Sequence, residues 1–104
     1  MINKDLLFIS GKDKISIINI NYYELIREIE ISNSGWIHGA CVLNKNILFT
    51  ADKKGIIREW KIEEDNLILK SKKENAHKNC IFTLLNLGNR NIASGSFDKS
   101  NKIW

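Results

Sequence analysis

The sequence contains no proline, and among its 104 residues are one valine (Val42), one methionine and two cysteines. Without proline, its turns must come from Gly, Asn, Asp and Ser. Cys41 and Cys80 form no C-x-x-C pair, and no metal-ligand spacing links them to His38 or His77. No metal and no cofactor are therefore expected, and both cysteines read as small buried apolar residues. No apolar run approaches the roughly 20 residues of a bilayer span. The start, Met1 to Leu7, carries Lys4 and Asp5 and no secretory pattern. A reducing, cytoplasmic location is the expectation. No nucleophile–base pair, phosphate loop or metal set is visible, so no catalytic residues are assigned and no enzyme is expected.

What is present is a moderately apolar, basic chain: 43% hydrophobic, 27% charged, with a net charge of +4. Eighteen Ile and thirteen Asn dominate it. Lys, Asn and Ile share A/T-rich codons, so lysine richness alone does not indicate nucleic-acid binding. Short β-branched and aromatic runs alternate with turn clusters such as Gly11-Lys12-Asp13, Lys53-Lys54-Gly55 and Phe97-Asp98-Lys99. This pattern predicts an all-β fold with strands near 6–10, 15–20, 25–31, 36–43, 47–51, 56–62, 67–71, 80–85, 91–95 and 101–104. The segment Tyr22–Ile31 could also line up a helical face through Leu25, Ile26 and Ile29. The alternation Ile29-Glu30-Ile31 favours a strand there. Tyr22-Tyr23 is placed at a turn.

Trp60 and Trp104 lie 44 residues apart. A shift of 44 sets Ile37 on Ile81, Leu43 on Leu87, Leu48 on Ile92, Thr50 on Ser94 and Arg58 on Lys102. The order of strand and turn types recurs with it. A shift of 41 sets Leu7-Phe8 on Leu48-Phe49, which points to an earlier, divergent copy. Such a period is the mark of a repeat architecture.

The segment from Asn91 to Trp104, with Asp98 six residues and Ser94 ten residues before Trp104, resembles the end of a WD-repeat unit. His77, in Asn75-Ala76-His77, stands where that family places the His of its Gly-His pair, and the 44-residue period fits the roughly 40–45 of the repeat. The resemblance implies a partial β-propeller of four-stranded antiparallel blades, an open arc of about two and a half repeats. Its units are 1–32 (divergent and partial), 33–76, and 77–104 without its last strand. By this resemblance the chain is expected to be a piece of a longer propeller, with further blades coming from the rest of that protein or from self-association.

The resemblance also implies a structural hydrogen-bonded network of His77, Ser94, Asp98 and Trp104. Imidazole, hydroxyl, carboxylate and indole are chemically able to form it. A Ser–His–Asp hydrolase would need a strained nucleophile and an oxyanion hole, and neither is visible. In the second unit Thr50 and Trp60 match Ser94 and Trp104, but Asn33 replaces the His and Lys54 replaces the Asp, so an incomplete network is expected there. In the first unit either Ile18 or Asn19 stands for the Trp.

Proteins of this family serve as scaffolds, so a protein or peptide partner is implied. The family's loop geometry would gather Lys12, Lys14, Lys53, Lys54, Lys72, Lys73, Lys78 and Lys99 on one rim, with the acidic turn Glu63-Glu64-Asp65 on the other. A cationic rim suits an acidic or phosphorylated peptide. The alternative is an anionic ligand, nucleic acid or phosphoinositide, although no aromatic-interleaved basic strand supports nucleic acid. Trp36 is read either as an exposed anchor on that rim or as packed between blades, the second being favoured. His38 is read as a satisfied structural histidine.

Overall fold

The computed structural model describes residues 6–32, 34–44, 46–64 and 66–104. Ten strands make up the regular structure: β1 Leu6–Gly11, β2 Lys14–Asn19, β3 Glu24–Glu30, β4 Ile37–Asn44, β5 Ile47–Asp52, β6 Ile57–Glu63, β7 Asn66–Lys73, β8 Ile81–Gly88, β9 Asn91–Ser96 and β10 Asn101–Ile103. No helix occurs among the described residues. The fold is all-β, and each strand falls where turn residues and alternation place it. Glu24–Glu30, the one stretch with a helical alternative, is a strand, because Ile26 and Ile29 pack on a core that β2 already lines with Ile15 and Ile17. Tyr22 and Tyr23 sit in the preceding turn, and Tyr23 has a φ of 56°.

The strands form three antiparallel sheets, β1-β2-β3, β4-β5-β6-β7 and β8-β9-β10, each in chain order. Short turns between consecutive strands dictate this, since an antiparallel pair needs only a hairpin to connect it. The sheets stack. Ile15, Ile17, Ile31, Ile37, Leu48, Trp60 and Leu67 form the layer between the first and second sheets. Ala51, Ile57, Ala76, Ile81, Leu84 and Ile92 form the layer between the second and third, with Cys41, Leu43, Phe49 and Trp104 packed on it. The middle sheet is therefore covered on both faces. Alternation along β5 makes this possible: Leu48 points to one layer, and Phe49 and Ala51 to the other. Gly39 lets β4 approach β8, for a Cβ there would lie 3.1 Å from the Leu84 amide nitrogen.

The 44-residue period is also a structural period. Thr50 pairs with Arg58 across β5 and β6, and Ser94 pairs with Lys102 across β9 and β10. β-Bulges between Ile37 and Gly39 and between Val42 and Asn44 recur between Ile81 and Thr83 and between Asn86 and Gly88. Gly55 (φ 81°) and Lys99 (φ 71°) occupy the same left-handed turn position. The first sheet follows the pattern at a shorter offset. Leu7 faces Ile18 across β1 and β2 as Leu48 faces Trp60 across β5 and β6. The bulge between Ile17 and Ile18 corresponds to that between Glu59 and Trp60. Ile18, rather than Asn19, thus holds the tryptophan position.

Candidate functional site

The turns β1–β2, β5–β6 and β9–β10 meet the loops that lead into β4 and β8 along one edge of the stack. The joints repeat. Lys53 N–H donates to the Trp36 carbonyl at 2.8 Å, and Phe97 N–H donates to the Cys80 carbonyl at 3.0 Å. Gly55 N–H donates to the Asp52 carbonyl at 3.1 Å, and Lys99 N–H donates to the Ser96 carbonyl at 3.2 Å. The first two of these turns also bond to the loop that follows the sheet they belong to. His77 N–H donates to the Gly55 carbonyl at 3.2 Å, and Asp13 N–H donates to the Gly35 carbonyl at 2.8 Å.

His77, Ser94, Asp98 and Trp104 are joined in one chain. The Trp104 indole N–H donates to Ser94 Oγ at 2.9 Å. Ser94 Oγ lies 2.7 Å from His77 Nε2, and His77 Nδ1 lies 2.9 Å from Asp98 Oδ2. Indole can only donate and carboxylate only accept. With a neutral imidazole, one arrangement satisfies every link: the Ser94 hydroxyl donates to His77 Nε2, and His77 Nδ1–H donates to Asp98. This tautomer is assigned from the partners. Asp98 also accepts from the Ser100 hydroxyl, from the Ser100 amide at 2.8 Å and from the Lys78 amide at 3.0 Å. The Ser100 hydroxyl above all, then the Lys78 amide and His77, hold the Asp98 carboxyl well below the usual carboxylate range.

The order Ser–His–Asp matches that of a hydrolase triad, but the surroundings do not. Ser94 is 2% exposed, lies within the regular strand β9, and is already engaged by the Trp104 indole. The nearby cavity of about 380 Å³ between the second and third sheets is lined by Phe49, Ile57, Lys73, Ile92 and Trp104 among others, and Ser94 is not part of its wall. His77 is 1% exposed. Ser94 and His77 are thus both buried, with their polar side-chain atoms engaged by neighbours in the same chain of hydrogen bonds.

The middle sheet carries a different arrangement. The Trp60 indole N–H donates to Thr50 Oγ1 at 2.9 Å, as Trp104 donates to Ser94. The position of Asn33 lies outside the described residues. Asp52, which the sequence reading did not single out, receives the Lys54 amide at 2.9 Å and the Ile56 amide at 3.1 Å on Oδ1, and pairs with Arg58 through Oδ2. Both partners are buried. Asp52 and Arg58 occupy the places of Ser96 and Lys102 in the 44-residue alignment. Lys102 sends its ammonium to the Ala76 carbonyl at 2.7 Å. Around Asp13 the Gly35 amide donates at 2.7 Å and the Ser34 hydroxyl at 3.3 Å.

Lys53, Lys54, Lys78 and Lys99 all lie in the turns and loops of this edge, and Lys72 and Lys73 pair with Arg58 and Ile57 at the same end of the sheet. Two of them have local partners. Lys72 faces Glu74 at 3.3 Å, and Lys73 lies 4.6 Å from the centre of the Trp104 ring, turned toward the gap between sheets. The backbone of Lys12 forms a β-bridge with Trp36, and the Lys14 ammonium faces Glu28 at 3.7 Å. Glu63 and Glu64 lie at the opposite end, and Asp65 falls outside the described residues. Trp36 is 50% exposed and stacks on His38 with ring centroids 6.4 Å apart. This corrects the favoured expectation that it packs between sheets. It precedes β4, outside the layer that Ile37 enters. His38 is likewise exposed rather than buried, because it alternates with the buried Ile37 and Gly39. Cys80 is buried and Cys41 half-buried, and burial pushes both thiols up, so they stay protonated at neutral pH. No helix of the described residues is long and apolar enough to cross a membrane.

Compared with known proteins, the chain matches no family model and no curated protein sequence.

Proposed function

We propose that this chain is a WD-repeat-type segment of a β-propeller, an open arc of sheets that acts as a protein-interaction module and binds an acidic or phosphorylated peptide on its loop rim. One observation carries the architecture. The Trp–hydroxyl bond recurs at a 44-residue interval together with its strand register, its bulges and its turn hydrogen bonds. A chain that repeats a sheet in this way builds a rigid platform, and rigid platforms present loops for recognition.

The binding surface is the rim around Trp36. The Trp36 indole is half-exposed, and the Trp36 backbone forms a β-bridge with Lys12 and accepts at its carbonyl from the Lys53 amide. An exposed aromatic beside lysines offers apolar contact and charge to one ligand. The buried, fully engaged Ser94 and His77 support a structural role for the network rather than catalysis.

The test is fluorescence anisotropy with a labelled oligo-glutamate peptide and a phosphoserine peptide. Binding that weakens with salt and is lost in Lys53→Glu/Lys54→Glu and in Trp36→Ala is expected. Binding unchanged by these substitutions, or absent, would refute the rim. Tighter binding to duplex DNA or to phosphoinositide vesicles would instead favour the anionic-ligand alternative.

A further inference from the structure

The middle sheet is covered on both faces, but each outer sheet has a face that no described residue covers, and both faces are apolar. On the first sheet, Leu7 and Ile9 point away from the layer that Leu6 and Phe8 join, and are 47% and 44% exposed. On the third sheet, Leu84 packs inward and Asn86 reaches the Val42 carbonyl, so Leu85 and Leu87 point outward, at 60% and 47% exposure. Ile103 joins them at 72%.

The repeat shows what surface fits each face. Leu85 and Leu87 are the counterparts of Cys41 and Leu43, which the third sheet covers in the middle of the stack. Leu7 and Ile18 are the counterparts of Leu48 and Trp60, which the first sheet covers. The uncovered face of the third sheet is therefore the kind that accepts a following sheet. The uncovered face of the first is the kind that accepts a preceding one. A second copy of the chain carries the match for each. In both layers of the stack, a face of one kind meets the other kind and never its own.

We propose that copies of this chain associate head to tail, the β8–β10 face of one seating on the β1–β3 face of the next. Such a contact is heterologous: it uses two different patches and grows until the rotation closes. Two copies bring six sheets, and radial arrays close at roughly 4–8. Closure at a dimer rests on the propeller reading; the head-to-tail contact rests only on the repeat.

Sedimentation of the 104-residue chain tests this, with Leu7→Glu and Leu85→Glu studied alone and mixed, and with folding checked by circular dichroism. The wild-type chain is expected at twice 12.0 kDa, each variant at the monomer mass, and the equimolar mixture as a dimer, because one unmodified contact remains between unlike variants. Should either variant fail to fold, Ile9→Glu and Ile103→Glu replace them. A wild-type monomer at all concentrations overturns the proposal. So does a variant that self-associates like the wild type, or a mixture of folded variants that stays monomeric. Unlimited growth that either substitution stops supports the contact and overturns closure.

Discussion

The Trp104 indole donates to the Ser94 hydroxyl at 2.9 Å, the distance at which Trp60 donates to Thr50 in the preceding sheet. The two bonds are alike, but their surroundings are not. Trp60 is buried between the first two sheets, whereas Trp104 keeps one side on a cavity and carries the Lys73 ammonium on its ring.

Replacing either tryptophan with Phe removes the donor and leaves a buried hydroxyl with one partner fewer. A lost hydrogen bond of this kind costs about 1 kcal/mol. Trp60→Phe is expected to cost more than Trp104→Phe, because its whole ring lies in a packed layer and shrinking it leaves a void. Urea denaturation midpoints of the two variants check the order.

The turn position shared by Gly55 and Lys99 gives opposite expectations. At Gly55 a Cβ would run into the His77 carbonyl, and φ is 81°. Gly55→Ala should destabilise by about 1–3 kcal/mol, the usual size of such backbone strain. Lys99 bears a side chain at φ 71°. Lys99→Gly should stabilise, by at most about 1 kcal/mol, since only glycine adopts this region freely. Thermal melts of both variants would show shifts of opposite sign.

Asp52 and Arg58 form a buried pair, so removing one charge leaves the other unpaired. Asp52→Asn or Arg58→Met should each cost about 3–5 kcal/mol. The third sheet already solves the same position with Ser96 and Lys102. The double variant Asp52→Ser/Arg58→Lys should therefore recover part of the loss, and a double-mutant cycle in guanidinium measures the recovery.

The pKa of the Asp98 carboxyl is depressed in the folded chain relative to an unfolded value of about 3.9. A depressed carboxylate stabilises the fold above its unfolded pKa, and the contribution fades as pH falls toward the folded value. The wild-type chain should lose stability below about pH 4, and Asp98→Asn should flatten that limb. Denaturation midpoints recorded against pH give both slopes.

The ten strands and the period were legible in the sequence for a physical reason. Without proline, the turns fall on clusters of Gly, Asn, Asp and Lys, and the isoleucines alternate between them. The network was expected only through the resemblance that the spacings of Ser94, Asp98 and Trp104 carry, and hydrogen bonds join the same side chains through His77. The ion pair of Asp52 was not legible, because its acidic side chain sits two residues before the turn position where Lys54 stands. The exposure of Trp36 and His38 was hidden as well, since an aromatic at a strand start reads the same whether or not a sheet covers it. The register of the first sheet needed the bulge at Ile18, which no residue type announces.

Ser94 and Asp98, on either side of the His77 ring, hold a neutral imidazole in one proton arrangement. Long-range ¹⁵N–¹H correlation spectra of the His77 ring at neutral pH report where that proton sits. The expected result is the proton on Nδ1, with Nε2 accepting from Ser94, and loss of that pattern in Asp98→Asn. A proton on Nε2, or fast exchange between the two tautomers, would contradict it.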